Sequence, residues 1–430
     1  MISRIEAFRY RCFDRLDISV GQFHVLAGAN GSGKSTLLDI LILLGDVLKR
    51  GVTAAFLEDT SPVGGSPRAQ SLQELIHLYR GNIFSFAIEA SLPEDVLINL
   101  QDRLSESAKL NPRRSPDRLR YEVTFEIFNE VELNVVNEYF HIVPKASREP
   151  EAGWGIGGKR PKTWRTIISR EGGQPSAIKG EYRDPDTGKY KKVDFNLHIN
   201  PQQLALANVP LDSNSFPATV YLRQLLEESV MRYEPNWAAL RTACPPGQPK
   251  QIRADAANLP WLVKVLKSER EEFFDLWVQH VQQALPNVVG IDAIEREEDH
   301  HAYLKLSYHG GYSVTSSGLS DGTLRILAFT ILPYLSDVPG IICLEEPENG
   351  IHPKAIEIVL QSLSSMYDSQ VWLSTHSPIA LAHTDLETVI LMRGDGEGSV
   401  KAVRGNEHPR LQEWQAGSDL GILFAGGVLD

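Results

Sequence analysis

Gly28-Ala29-Asn30-Gly31-Ser32-Gly33-Lys34-Ser35 has the residue types and spacing of a phosphate-binding loop. The backbone N–H groups of Asn30, Gly31, Ser32 and Gly33 can turn inward around an anion. The N-terminus of the helix that follows adds its positive end. Lys34 reaches β- and γ-phosphates in such a loop, and the Ser35 hydroxyl can ligate Mg²⁺. Ser320-Asp321-Gly322 opens an apolar stretch, Ile326 to Leu335, and offers a second anion site; an ordinary N-cap fits that serine equally well. In Glu345-Glu346-Pro347-Glu348 one carboxylate can hold Mg²⁺ through water while its neighbour orients or deprotonates an attacking water. His376 follows Val371-Trp372-Leu373-Ser374-Thr375, from where it can bond a γ-phosphate.

These residues need a sheet to gather them. Phe23 to Ala27 reads as a strand ending in the phosphate loop, and Thr36 to Leu48 as a helix apolar nearly all round, hence buried. Gly340 to Leu344 and Val371 to Thr375 are buried-type strands. The acids and the histidine then sit at strand C-terminal tips, where a doubly wound sheet binds ligand. Elsewhere, Ile2 to Phe8 and Leu16 to Val20 are expected as strands, and Gly51 to Gln70 as a loop. Ser71-Leu72-Gln73-Glu74 has capping-box spacing and predicts a short helix through Tyr79. From Ile83 to Ile199 apolar residues alternate, which predicts half-buried strands of an antiparallel sheet, interrupted by a helix from Pro93 to Leu110. Thr219 to Leu222 is β-prone; Leu225 to Tyr233 and Leu259 to Leu285 read as helices, and Val288 to Ile294 and Ala302 to Leu306 as strands.

The 430 residues, 42% of them hydrophobic, suffice for sizeable cores and exclude a disordered chain. Three cysteines, Cys12, Cys244 and Cys343, give neither a paired disulfide set nor metal-ligand spacing, as expected in a reducing cytosol. No signal peptide or membrane span is evident, so a cytoplasmic protein without membrane contact is expected. A net charge of −12 excludes a surface that is basic all over. The segment 145–192 departs from that average: Lys145, Arg148, Lys159, Arg160, Lys162, Arg165, Arg170, Lys179, Arg183, Lys189, Lys191 and Lys192 accompany Trp154 and Trp164. It is a candidate contact for a DNA backbone, although its interspersed Glu and Asp residues favour a solvated loop.

The order of phosphate loop, Leu-Ser-Asp-Gly at 319–322, Glu-Glu-Pro-Glu at 345–348 and Ser-Thr-His-Ser-Pro at 374–378 resembles the ABC-type ATPases. Within them it is most similar to the soluble SMC/RecF/OLD-like group. The resemblance implies an α/β ABC-ATPase head, with a phosphate-loop sheet, an antiparallel β subdomain and an inserted helical subdomain. Residues 1–230 and 286–430 would form the head and 231–285 the insertion. It further implies ATP and Mg²⁺ as cofactors, and a homodimer closing head to tail over each nucleotide. Ser320 and Gly322 would contact the partner's γ-phosphate, Glu345 would be the magnesium-side acid, Glu346 the catalytic base and His376 the γ-phosphate sensor. Gln224, in Val220-Tyr221-Leu222-Arg223-Gln224, looks like the glutamine that joins the metal and links nucleotide to head movement. The family works in genome maintenance and anti-phage defence. The short stretch after His376 leaves no room for the Toprim nuclease of many OLD-like ATPases, so an effector such as a nuclease is expected on another protein. Asp321, Thr323, Glu345 and His352 depart from the transporter-type motifs. A nucleotide-gated scaffold that binds a partner or DNA with little turnover is the competing expectation.

Overall fold

The computed structural model describes residues 1–59, 66–102, 115–146, 160–161, 163–181, 195–408, 411 and 420–427. Its strands are β1 (Ile2–Tyr10), β2 (Phe13–Ser19), β3 (Phe23–Ala27), β4 (Ile83–Ser91), β5 (Pro116–Phe128) and β6 (Glu132–Pro144). Then come β7 (Arg165–Arg170), β8 (Ser176–Ile178), β9 (Phe195–Leu197), β10 (Val230–Arg232), β11 (Val288–Glu295) and β12 (Ala302–Tyr308). The last needed here are β13 (Tyr312–Thr315), β14 (Ile341–Glu345), β15 (Gln370–Thr375) and β16 (Val389–Gly394). The chain divides into two units. One holds Met1–Gly21, Asp39–Val230 and Met392–Val403; the other holds Gln22–Leu38, Met231–Leu391 and Arg404–Asp430.

The first unit is built on an eight-stranded sheet of order β2-β1-β4-β5-β6-β7-β8-β9, antiparallel at every recorded pairing. The alternating pattern forms the expected strands. One face carries Tyr10, Phe84, Phe86 and Phe125, with Phe84 and Phe125 stacked at 5.2 Å and Phe56 packed edge-on against both. The other face is not the wet one that alternation predicts. Arg120, 1% exposed, donates to Glu6 at 2.6 Å, to Glu89 at 2.8 Å and to Glu122 at 2.5 Å. Charges at every second position are therefore paired inside the protein, because an unpaired buried charge would cost several kcal/mol.

Helix Pro217–Glu228 corrects the β-prone reading of Thr219 to Leu222. The buried Glu181 carboxylate accepts from the backbone N–H groups of Ala218 at 2.7 Å and Thr219 at 2.9 Å, capping a helix start that has no local cap. Leu225 to Tyr233 is likewise not one helix, since β10 begins at Val230. Val52–Leu57 forms a helix within the expected loop, and Leu72–Tyr79 forms two 3₁₀ turns.

The second unit holds the run β10-β14-β15-β3-β16 of a six-stranded sheet, in which β3 is parallel to both β15 and β16, and β15 to β14. Val25, Ile342, Leu344, Val371, Leu373 and Leu391 bury it in one core with Leu324, Leu327, Trp277 and Leu262 from the helices. The expected helix from Leu259 to Leu285 is two, Leu259–Glu269 and Glu271–Ala284, broken where Arg270 leaves helical geometry, stacks on Phe273 and donates to the Tyr334 carbonyl at 3.1 Å. A small antiparallel sheet, β11-β12-β13, completes the unit.

Candidate functional site

Register aligns three strand tips. Glu345 pairs with Ser374, Ser374 with Leu26, and Thr375 with Ala27. The phosphate loop leaves β3, the acid pair leaves β14 and His376 leaves β15 along one edge of the parallel sheet. Gly31 and Gly33 turn the loop with φ of 77° and 82°, a region that glycine enters without strain. Helix Lys34–Arg50 begins directly behind them.

The buried Lys34 ammonium donates to the carbonyls of Gly28 at 2.8 Å and Ala29 at 3.0 Å. Burial lowers its pKa, with Glu346 and Glu345 opposing the shift. Ser35 Oγ donates to Glu345 Oε2 at 2.6 Å, and Arg232 Nη1 lies 3.3 Å from Glu345 Oε1. A hydroxyl and a carboxylate this close, open to further oxygen ligands, suit Mg²⁺, which keeps several waters and substrate oxygens rather than an all-protein cage. Among the described residues no group of three or more His, Cys, Asp or Glu forms such a cage.

Glu346 sits at φ 45°, a left-handed backbone that costs a non-glycine residue about 1–3 kcal/mol and that clusters at functional sites. Its N–H donates to the Ser374 carbonyl, its Oε2 accepts from Asn349 Nδ2 at 2.5 Å, and its Oε1 lies 3.3 Å from His376 Nε2. The His376 pKa is lowered, first by burial and then by Lys34, against Glu346 and a backbone bond to Gly28. Lys34, Glu346, His376 and the loop backbone are thus one electrostatic unit. The buried Glu348 accepts from Thr375 Oγ1 and from the backbone N–H of His376, bracing the histidine loop. Burial raises the pKa of that carboxyl.

Ser320 caps helix Asp321–Thr330, its Oγ accepting from the Thr323 N–H at 3.2 Å, so the N-cap half of its sequence reading is realised. Gly322 lies against the loop after Glu348: a Cβ there would stand 2.8 Å from the Gly350 carbonyl oxygen. Gln224 lies exposed on helix Pro217–Glu228 in the first unit. His352 caps helix Pro353–Ser364. Sequence reasoning missed Arg232 and Asn349. Asn349, three residues beyond Glu346 in a turn, was within reach of a spacing argument; Arg232 carries no motif.

Of the basic segment, Arg160 pairs with Glu122, Arg165 donates to the Gly180 carbonyl at 2.7 Å and Arg170 to the Gln203 carbonyl at 2.6 Å. Trp164 is buried beside His141. Arg170 is buried and Arg160 and Arg165 are half-buried, whereas Lys145 and Lys179 are exposed. Arg148, Trp154, Lys159, Lys162, Arg183, Lys189, Lys191 and Lys192 lie outside the described residues.

A family model described as "AAA domain, putative AbiEii toxin, Type IV TA system" matches residues 23–148 and 167–382, most of the chain. The chain belongs to that family. Nucleotide binding and hydrolysis are what an AAA domain does in general. No curated protein matches this AAA-domain chain in sequence. Among solved structures it is similar to an Smc head bound to the C-winged helix domain of ScpA, with TM-score 0.48, 11% identity, and coverage of 94% of this chain and 97% of that one. A Pyrococcus furiosus Smc head with an extended coiled coil, bound to the C-terminal domain of ScpA, gives 0.46, 12%, 94% and 95%. The SMC head domain from Thermotoga maritima gives 0.38, 11%, 94% and 98%. Among the described residues no helix is long and apolar enough to cross a membrane.

Proposed function

We propose that the AAA-domain chain binds ATP with Mg²⁺ on the phosphate loop and hydrolyses it with Glu346 as base, closing and opening a head-to-tail homodimer. One observation carries this reading: Ser35 with Glu345, and Glu346 with His376, stand side by side on the aligned tips of three neighbouring parallel strands. Asn30 to Gly33 would cradle phosphate and Lys34 would neutralise it. Ser35 and Glu345 would hold Mg²⁺, which supplies charge neutralisation on the transferring phosphoryl group. Asn349 and His376 aim the Glu346 carboxylate, and Thr36, next to Ser35, would add to the phosphate contacts. Ser320 and Gly322 would meet the partner's γ-phosphate, and Gln224 would link nucleotide to head movement. The family's toxin-system description supports a second protein as partner, and a defence role with a separate effector follows as part of the proposal.

Phosphate release from purified protein tests the reading. Glu346→Gln should keep ATP binding and slow hydrolysis at least about a hundredfold. Wild-type protein that binds ATP without releasing phosphate would favour the scaffold instead.

A further inference from the structure

The second unit resumes at Met231, and the next residue is Arg232 on β10, the strand beside β14. Its guanidinium lies 3.3 Å from Glu345 Oε1, while Ser35 donates to Oε2 at 2.6 Å. Each oxygen of the magnesium-side acid therefore has its own partner. Lys34 supplies neither contact, because its ammonium bonds the Gly28 and Ala29 carbonyls of its own loop.

The two partners differ in kind. Ser35 can share a cation with Glu345, since a hydroxyl oxygen is a ligand; a guanidinium has only donors and cannot coordinate a metal. We propose that Arg232 stands in for the divalent cation, its guanidinium competing with the metal for the Glu345 carboxylate. It thereby sets the metal affinity of the site. The inference rests on reading Ser35 and Glu345 as the Mg²⁺ donors. Arg232 and Glu345 side chains are 32% and 39% exposed, so solvent screening keeps the competition modest.

Mn²⁺ titration followed by electron paramagnetic resonance, with and without ADP, tests this without reading hydrolysis. Arg232→Met removes the competitor and the repulsion together, so Mn²⁺ should bind about two- to fivefold tighter in both conditions. Arg232→Lys should stay near wild type, and ADP affinity in EDTA should be unchanged in both. Arg232→Gln, neutral and polar, should show the same gain as Met and serves if the Met variant does not fold. Neutral variants that bind Mn²⁺ no tighter than wild type overturn the proposal. So does a loss of ADP affinity in EDTA, which would assign Arg232 to phosphate. If wild-type protein binds no ADP, the nucleotide reading fails, and the titration without nucleotide still decides on Arg232.

Discussion

The Ser35 hydroxyl donates to Glu345, a residue 310 positions further along the chain, at 2.6 Å. The bond joins the start of the helix behind the phosphate loop to the end of β14, so the two halves of the proposed phosphate-and-metal site arrive from distant parts of the sequence.

In the proposed site Lys34 is the cation that meets phosphate. Lys34→Ala should weaken ATP binding about ten- to a hundredfold, the loss expected for one charge-assisted contact to phosphate. Calorimetric titration measures it, and unchanged affinity would remove the loop from the nucleotide site.

The proposed head-to-tail dimer makes a complementation prediction. Ser320→Arg and Lys34→Ala damage opposite halves of a composite site, so a mixture of the two proteins should form heterodimers with one intact site and regain part of the hydrolysis each lacks alone. Should Ser320→Arg hydrolyse ATP at the wild-type rate as a strict monomer, the site is complete within one chain.

Gly45 lies inside helix Lys34–Arg50, where alanine ordinarily gains about 1 kcal/mol over glycine. Here a Cβ would stand 2.2 Å from the Leu226 carbonyl oxygen, a backbone atom that cannot swing aside. Gly45→Ala should therefore lose the propensity gain to overpacking and destabilise by about 1–3 kcal/mol. Chemical denaturation would reveal the sign, and a stabilised variant would contradict the close approach.

His141 is buried between Tyr139 and Trp164, and burial, helped by Arg120, pushes its pKa down to about 4. A depressed folded-state pKa means stability present above the unfolded value and lost as pH falls from about 6.5 toward 4. Between pH 7 and 5 the wild type should lose about 2 kcal/mol more than His141→Gln. Parallel denaturation curves at the two pH values check this; equal losses would mean that His141 titrates normally.

The strand-loop-helix unit and the acid pair were legible in the sequence because their chemistry is local: glycine spacing fixes the loop, and a short buried strand fixes where its acids emerge. Helix Pro217–Glu228 was not legible, since its cap comes from Glu181, 37 residues before Ala218. Nor was the charged interior of the first sheet. Glu6, Glu89, Arg120 and Glu122 alternate with apolar residues as a solvent face would, and only pairing between strands shows that they neutralise one another. The partners of Arg165 and Arg170 were hidden for the same reason: the carbonyls that receive them come from other parts of the chain.

The place of β3 between β15 and β16 also sets a schedule for synthesis. His24 on β3 bonds the carbonyl of Thr388, 364 residues later. At about 5–20 residues per second the ribosome takes about 20–70 s to cover that distance. Until β15 is made, near the end of that time, the phosphate-loop strand has neither neighbour, while the first sheet can already pair. A nascent chain would hold a partly built first unit well before β3 gains both its neighbours, so the proposed nucleotide site would form only late in synthesis.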